Sequence, residues 1–136
     1  MKIKKPNICI IDDDRVYVNL ISKIIQLRDL AQTIHIFKNG RDALNYFSSL
    51  KNVNAKIPDY VFLDVNMPIM DGWQFFEEYA KIDKALRSQM KLYIVSSSVD
   101  PRDIIKAKEL PDVNGYLLKP LRVVDLEGIL RPTILT

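Results

Sequence analysis

Three carboxylates stand where apolar runs end. Asn7-Ile8-Cys9-Ile10-Ile11 leads into Asp12-Asp13-Asp14, and Tyr60-Val61-Phe62-Leu63 leads into Asp64. A buried strand that abruptly releases acids marks its carboxyl end, and in an open α/β sheet ligands bind outside the carboxyl ends of the strands. Two like charges ~5 Å apart repel by roughly 3 kcal/mol at an effective dielectric of about 20. A fold tolerates such repulsion when a cation sits among the acids, and hard oxygen donors favour Mg²⁺ or Ca²⁺. A hydroxyl, Ser96, follows a further apolar run, and an ammonium, Lys119, follows another. Acids, a hydroxyl and an ammonium at the ends of parallel strands are the set needed to capture a phosphoryl group on a carboxylate. In that chemistry Asp64 is the nucleophile, and Asp12 and Asp13 hold Mg²⁺, directly or through water. Ser96 donates to one phosphoryl oxygen and Lys119 pairs with another as a point charge. Mg²⁺ takes about six oxygens and keeps several waters, so Asp64 itself and the backbone carbonyl of Asn66 complete an adequate ligand set.

The elements that must position these groups alternate between short β-rich runs and longer helical ones. Asn7–Ile11 is a continuous apolar run, as for a strand covered on both faces. Asp14 caps a helix in which Val16, Tyr17, Leu20, Ile21, Ile24 and Ile25 recur at helical spacing. Thr33–Phe37 is a second strand, and Asn39-Gly40 turns it into a helix with Ala43, Leu44 and Phe47 on one side. Lys51–Pro58 is a polar loop and Asp59–Asp64 the third strand. The irregular segment from Asn66 to Gly72 precedes a helix bearing Trp73, Phe76, Tyr79 and Ala80. Lys91–Val95 is the fourth strand, and Pro101 opens a helix running towards Glu109. Gly115–Leu118 is the fifth strand. The last helix, Arg122 to Leu130, is short, weakened by Gly128 and stopped before Pro132. Five strands alternating with five helices predict a parallel sheet with helices on both faces.

Size and composition narrow the function further. At 136 residues the chain fits one domain, with residues 1–6 as a basic tail and 131–136 as a second tail. The net charge of +3 is mild, and the Lys2, Lys4, Lys5 cluster continues into no basic stripe. Neither direct nucleic-acid binding nor membrane binding is therefore expected. One cysteine excludes an intramolecular disulfide and fits a reducing compartment. No run has membrane-spanning length and no signal peptide opens the sequence, so the expected location is cytoplasmic.

Four segments carry a family resemblance. Ile10-Ile11-Asp12-Asp13-Asp14, Leu63-Asp64-Val65-Asn66-Met67-Pro68-Ile69-Met70-Asp71-Gly72, Val95-Ser96-Ser97 and Leu118-Lys119-Pro120-Leu121 closely resemble the receiver domain of two-component response regulators. The match runs from about Asn7 to Leu130, and the run beside Asp64 is its most specific part. The resemblance implies a flavodoxin-like doubly wound sheet of strand order 2-1-3-4-5 over residues 7–130, and a stand-alone, chemotaxis-regulator-like receiver. It implies that Asp64 takes phosphate from a histidine kinase or histidine phosphotransfer protein, with Mg²⁺, or alternatively Mn²⁺, held at Asp12 and Asp13. Ser96 and Lys119 would sense the phosphoryl group, Tyr116 would act as an aromatic switch coupled to Ser96, and the Lys119-Pro120 bond would be cis. The output would be a protein bound on the surface of the fourth helix, fifth strand and fifth helix, by a monomer or a phosphorylation-dependent dimer. Ser96 stands where threonine is commoner. The interval from Ser96 to Lys119 is one residue longer than in many relatives, which leaves Ser97 as the alternative hydroxyl.

Each of these residues also has a plainer reading. Taken singly, Asp12, Asp13 and Asp64 would be caps or loop acids, and Asp14 is a cap. Tyr116 would be a strand aromatic, Trp73 a cover for its helix, His35 a structural residue and Cys9 a small buried hydrophobe. Two rival functions are a receiver that binds partners without phosphorylation and a phosphohydrolase with an aspartyl-phosphate intermediate. The second needs an acid two residues after the nucleophile, where this chain has Asn66. The domain is thus expected to assist its own phosphorylation and dephosphorylation and to turn over no separate substrate.

Overall fold

The computed structural model describes residues 2–50, 57–65 and 72–135. Its strands are β1 (Lys2–Lys4), β2 (Asn7–Ile11), β3 (Thr33–Phe37), β4 (Tyr60–Asp64), β5 (Lys91–Ser96), β6 (Val113–Leu118) and β7 (Thr133–Leu135). Its helices are α1 (Arg15–Leu27), α2 (Gly40–Ser49), α3 (Gly72–Tyr79), α4 (Lys84–Arg87), α5 (Pro101–Lys108) and α6 (Val123–Ile129). β2 to β6 form one parallel sheet in the order β3-β2-β4-β5-β6. Numbered within that sheet alone the order is 2-1-3-4-5, the expected flavodoxin-like topology.

Alternation along the central strands divides the core in two. Cys9, Ile11, Val61 and Leu63 point to the layer of α2, α3 and α5, where they meet Phe47, Phe75, Tyr79 and Ala107. Ile8, Ile10, Tyr60 and Phe62 point to the layer of α1 and α6, against Val18, Ile21, Ile25 and Leu126. The strands buried on both faces are the ones that read as unbroken apolar runs. Local chemistry fixes the helix starts. Asp14 accepts from the Tyr17 amide (3.1 Å), Asn39 from the Asp42 amide (2.8 Å) and Asp100 from the Arg102 amide (2.9 Å), with Pro101 in the first helical turn.

The structure corrects three expectations. The two segments read as tails pair with each other, Lys2 opposite Leu135 and Lys4 opposite Thr133, in a two-stranded antiparallel ribbon. Three-residue strands carry no periodicity of their own, and only this long-range pairing defines them. The extra helix α4 is a single turn capped by Asp83, and one guanidinium nitrogen of its Arg87 donates to both carboxylate oxygens of Asp112, the residue before β6 (3.0 and 2.8 Å). On α1, Val16 (80% exposed) and Leu20 face solvent, because the helix turns only the stripe of Val18, Ile21 and Ile25 fully inward. The polar loop expected at Lys51–Pro58 falls largely outside the described residues.

Candidate functional site

β2 ends at Ile11, but its ladder continues by one bond: the Asp12 amide donates to the Phe37 carbonyl at 3.0 Å. Asp12 therefore lies at the carboxyl edge of the sheet with its backbone fixed. It is only 4% exposed, Asp64 at the end of β4 only 6%, and Asp13 points out to solvent. One oxygen from each of Asp12, Asp13 and Asp64 can be chosen so that all lie within 4.8 Å of one another. Lys119, just past β6, enters the same space. Its ammonium is 2.7 Å from Asp12 Oδ2 and 3.5 Å from Asp64 Oδ2, and its side chain is 15% exposed. Burial alone pulls the lysine pKa down, and the hydrogen bond and charge of Asp12 together with Asp64 more than offset it, so the net shift is upward. A third contact to Lys119 was not expected from the sequence. Its Nζ lies over the ring of Tyr17 in the first turn of α1, 4.4 Å from the centroid. Tyr17 had only its place in the helical apolar pattern to mark it.

These donors suit a hard divalent cation. Around one octahedral Mg²⁺ with bonds of about 2.1 Å, neighbouring ligand oxygens are ~3 Å apart and opposite ones ~4.2 Å, so the three carboxylates would draw together around the ion or hold it in part through water. Among the described residues, three carboxylates against one ammonium also leave the cluster negative. Asp12, Asp13 and Asp64 would hold the ion. The Asn66 carbonyl lies outside the described residues, as do the residues up to Asp71. The far end of that segment is informative: the Gly72 amide donates to the Val65 carbonyl at 2.9 Å, and a Cβ on Gly72 would stand 2.6 Å from Val65 Cα. Glycine is required there so that the chain can close back on the end of β4.

β5 runs one residue further than expected and includes Ser96, which is fully buried, whereas Ser97 is exposed. Asp64 is paired with Val95 across β4 and β5, so Ser96 stands one position past it. Ser96 Oγ accepts from the Ser98 amide (3.0 Å), and the Ser96 carbonyl accepts from the Lys119 amide (2.9 Å). Tyr116 on β6 donates its hydroxyl to the Ser98 carbonyl at 2.9 Å, and Ser98 Oγ donates to Asp103 on α5 at 2.6 Å. The Lys119-Pro120 peptide is cis. Asp14 serves as the cap of α1, and its amide donates to Asp12 Oδ1 at 2.9 Å.

The remaining residues singled out from the sequence lie elsewhere. Exposed His35 stacks on Tyr46 at 5.5 Å and pairs in register with Cys9, three residues short of Asp12. Cys9 is fully buried, and burial pushes its thiol pKa well up, so it stays protonated. Trp73 is covered by Lys106 of α5, whose Nζ is 4.5 Å from its ring centroid. No helix among the described residues is long and apolar enough to cross a membrane.

A family model described as "Response regulator receiver domain" matches residues 8–131. The chain is 27% identical over 128 residues to "Two-component response regulator ORR12" of Oryza sativa subsp. japonica, covering 94% of this chain and 98% of that one. It is 25% identical over 120 residues to the "Probable methanogenesis regulatory protein FilR2" of Methanothrix harundinacea, covering 88% and 76%. Among solved structures, a two component response regulator from Cytophaga hutchinsonii superposes with a TM-score of 0.83 at 28% identity, covering 92% of this chain and 93% of that one.

Proposed function

Because the chain belongs to the response regulator receiver domain family, we propose that it is a phosphorylation switch in which Asp64 accepts a phosphoryl group from a phosphohistidine on a histidine kinase or phosphotransfer protein. The observation that carries this reading is the convergence of Asp12, Asp13, Asp64 and Lys119 at one sheet edge, two of the acids buried. An Asp64 oxygen attacks phosphorus, the O–P bond forms as the donor N–P bond breaks, and the leaving imidazole takes its proton from solvent. Lys119 exchanges its contact with Asp12 for a phosphoryl oxygen, and the Ser96 hydroxyl donates to another while still accepting from the Ser98 amide. Mg²⁺ bound by Asp12, Asp13 and Asp64 would supply charge neutralisation as two anions approach.

Movement of Ser96 towards the phosphoryl group pulls on the Ser98 amide, and so on the loop whose Ser98 carbonyl holds the Tyr116 hydroxyl. Phosphorylation thereby biases the position of Tyr116 and the face of α5, β6 and α6, where an output protein binds; it shifts populations and creates no new fold. The buried Ser96 is favoured over exposed Ser97 as the sensing hydroxyl. Incubation with acetyl phosphate, followed by intact mass, tests the reading. A phosphoryl adduct on wild type that needs Mg²⁺ and disappears in Asp64→Asn is expected. An adduct of equal yield on Asp64→Asn would sink it.

A further inference from the structure

Phosphoryl capture needs a lysine, but it does not by itself need an aromatic ring beside that lysine. Among the described residues the Lys119 ammonium has three neighbours: Asp12 Oδ2 at 2.7 Å, Asp64 Oδ2 at 3.5 Å and the Tyr17 ring at 4.4 Å from its centroid. The last distance lies well inside the ~6 Å over which a cation is attracted by the negative face of an aromatic ring. We propose that Tyr17 is a positioning residue for Lys119, its ring face holding the ammonium at the place where phosphoryl oxygens arrive. This rests on the reading of Asp64 as phosphoacceptor.

The backbone that carries the ring is itself tied to the site. The Asp14 amide donates to Asp12 Oδ1, and Asp14 Oδ1 accepts from the Tyr17 amide, so two consecutive bonds tie the first turn of α1 to the buried acid. The side chain also lines a small apolar space with Ile10, Ile21, Phe62, Val95 and Leu121. Burial, and then the charges of Asp12, Asp64 and Asp14, push the phenol pKa up, so the ring carries no charge of its own at neutral pH.

The ring differs from the two carboxylates in a way that matters for a switch. Lys119 must give up its short bond to Asp12 when it pairs with a phosphoryl oxygen, and a carboxylate bond is directional. An aromatic face is broad, so the ammonium can slide from one oxygen to another without leaving it. A lysine arm has four rotatable bonds and a strongly hydrated head. Tyr17 keeps that head in the site through the exchange and denies one side of it to water.

The test compares wild type, Tyr17→Leu and Tyr17→Phe as full chains, with folding checked by circular dichroism and Tyr17→Met used in place of Tyr17→Leu if the latter does not fold. The first measurement is the proton chemical shift of the Lys119 ε-methylene in ¹H–¹³C spectra without phosphodonor. The second is the rate of adduct formation with acetyl phosphate at saturating Mg²⁺. The ring current should shift the methylene upfield in wild type and Tyr17→Phe, and the shift should vanish in the aliphatic variant. Adduct formation should slow by about 3- to 30-fold in the aliphatic variant and recover to within about twofold of wild type in Tyr17→Phe. An aliphatic variant that keeps the upfield shift or reacts at the wild-type rate overturns the proposal, as does a Tyr17→Phe variant as slow as the aliphatic one. A wild type that forms no adduct overturns the phosphoacceptor reading and the role of Tyr17 with it. Equal rates in all proteins overturn the role of Tyr17 alone.

Discussion

Asp12 and Asp64 are buried within reach of one another and both face the Lys119 ammonium, and Asp13 adds a third negative charge at the rim. Binding of a divalent ion should therefore stabilise the fold as well as prepare it for chemistry. At a Mg²⁺ concentration about 100 times its dissociation constant, linkage predicts about 2.7 kcal/mol of added stability. Urea titrations with and without Mg²⁺ should show that gain in wild type and its loss in Asp13→Asn. A second residue-scale prediction concerns Tyr79, whose hydroxyl is buried with no hydrogen-bond partner among the described residues. Burial, the largest cause, and the Asp112 charge raise its pKa from the ordinary 10.0, although Arg87 opposes them. A raised folded pKa means that the unfolded chain loses this proton first. The stabilising contribution is complete below about pH 10 and falls away as pH rises further. Tyr79→Phe should gain about 1 kcal/mol at neutral pH by removing an unpaired polar group. It should also flatten the fall in unfolding midpoint above pH 10, measured by denaturant titration across pH.

At the scale of elements, the fold was legible wherever a segment is buried on both faces. Asn7–Ile11, buried along its whole length, is bounded as its apolar run indicates, and the acid after β2 and the acid that ends β4 mark the edge where the site forms. The residues that had to converge, Asp12, Asp13, Asp64 and Lys119, were legible because parallel strands leave no other place for them. Interfaces were less legible. The apolar face of α1 is wider than the stripe it buries, so Val16 and Leu20 could not be told from Val18 and Ile21 by period alone. The contact of Tyr17 with Lys119 depends on how α1 sits against the end of β6, which no local pattern encodes. Gly72 belongs to this scale as well, since it joins the end of β4 to the start of α3. Gly72→Ala forces a methyl against the Val65 backbone and should cost about 2–3 kcal/mol. A lowered urea midpoint with an unchanged slope would register that loss.

For the molecule as a whole, chemistry and closure are kept at opposite ends of the sheet. Asp12, Asp13, Asp64 and Lys119 gather at the carboxyl edge, whereas β1 and β7 join beyond the amino end of β2. Neither member of the ribbon had a sequence signal, because each is three residues long and has meaning only beside the other. Deleting residues 132–136 should remove the ribbon and lower stability by about 1–2 kcal/mol, in keeping with the loss of a few exposed backbone bonds. Adduct formation with acetyl phosphate should continue at the wild-type rate, and thermal unfolding alongside intact mass separates the two effects. The pairing of residue 2 with residue 135 has one more consequence, for engineering. Neighbouring strands are ~4.8 Å apart, so a linker of a few residues can splice one terminus to the other. A circular permutant opened at a surface loop would then retain the sheet, and a fluorescent reporter fused through the ribbon would sit at the pole remote from an approaching kinase.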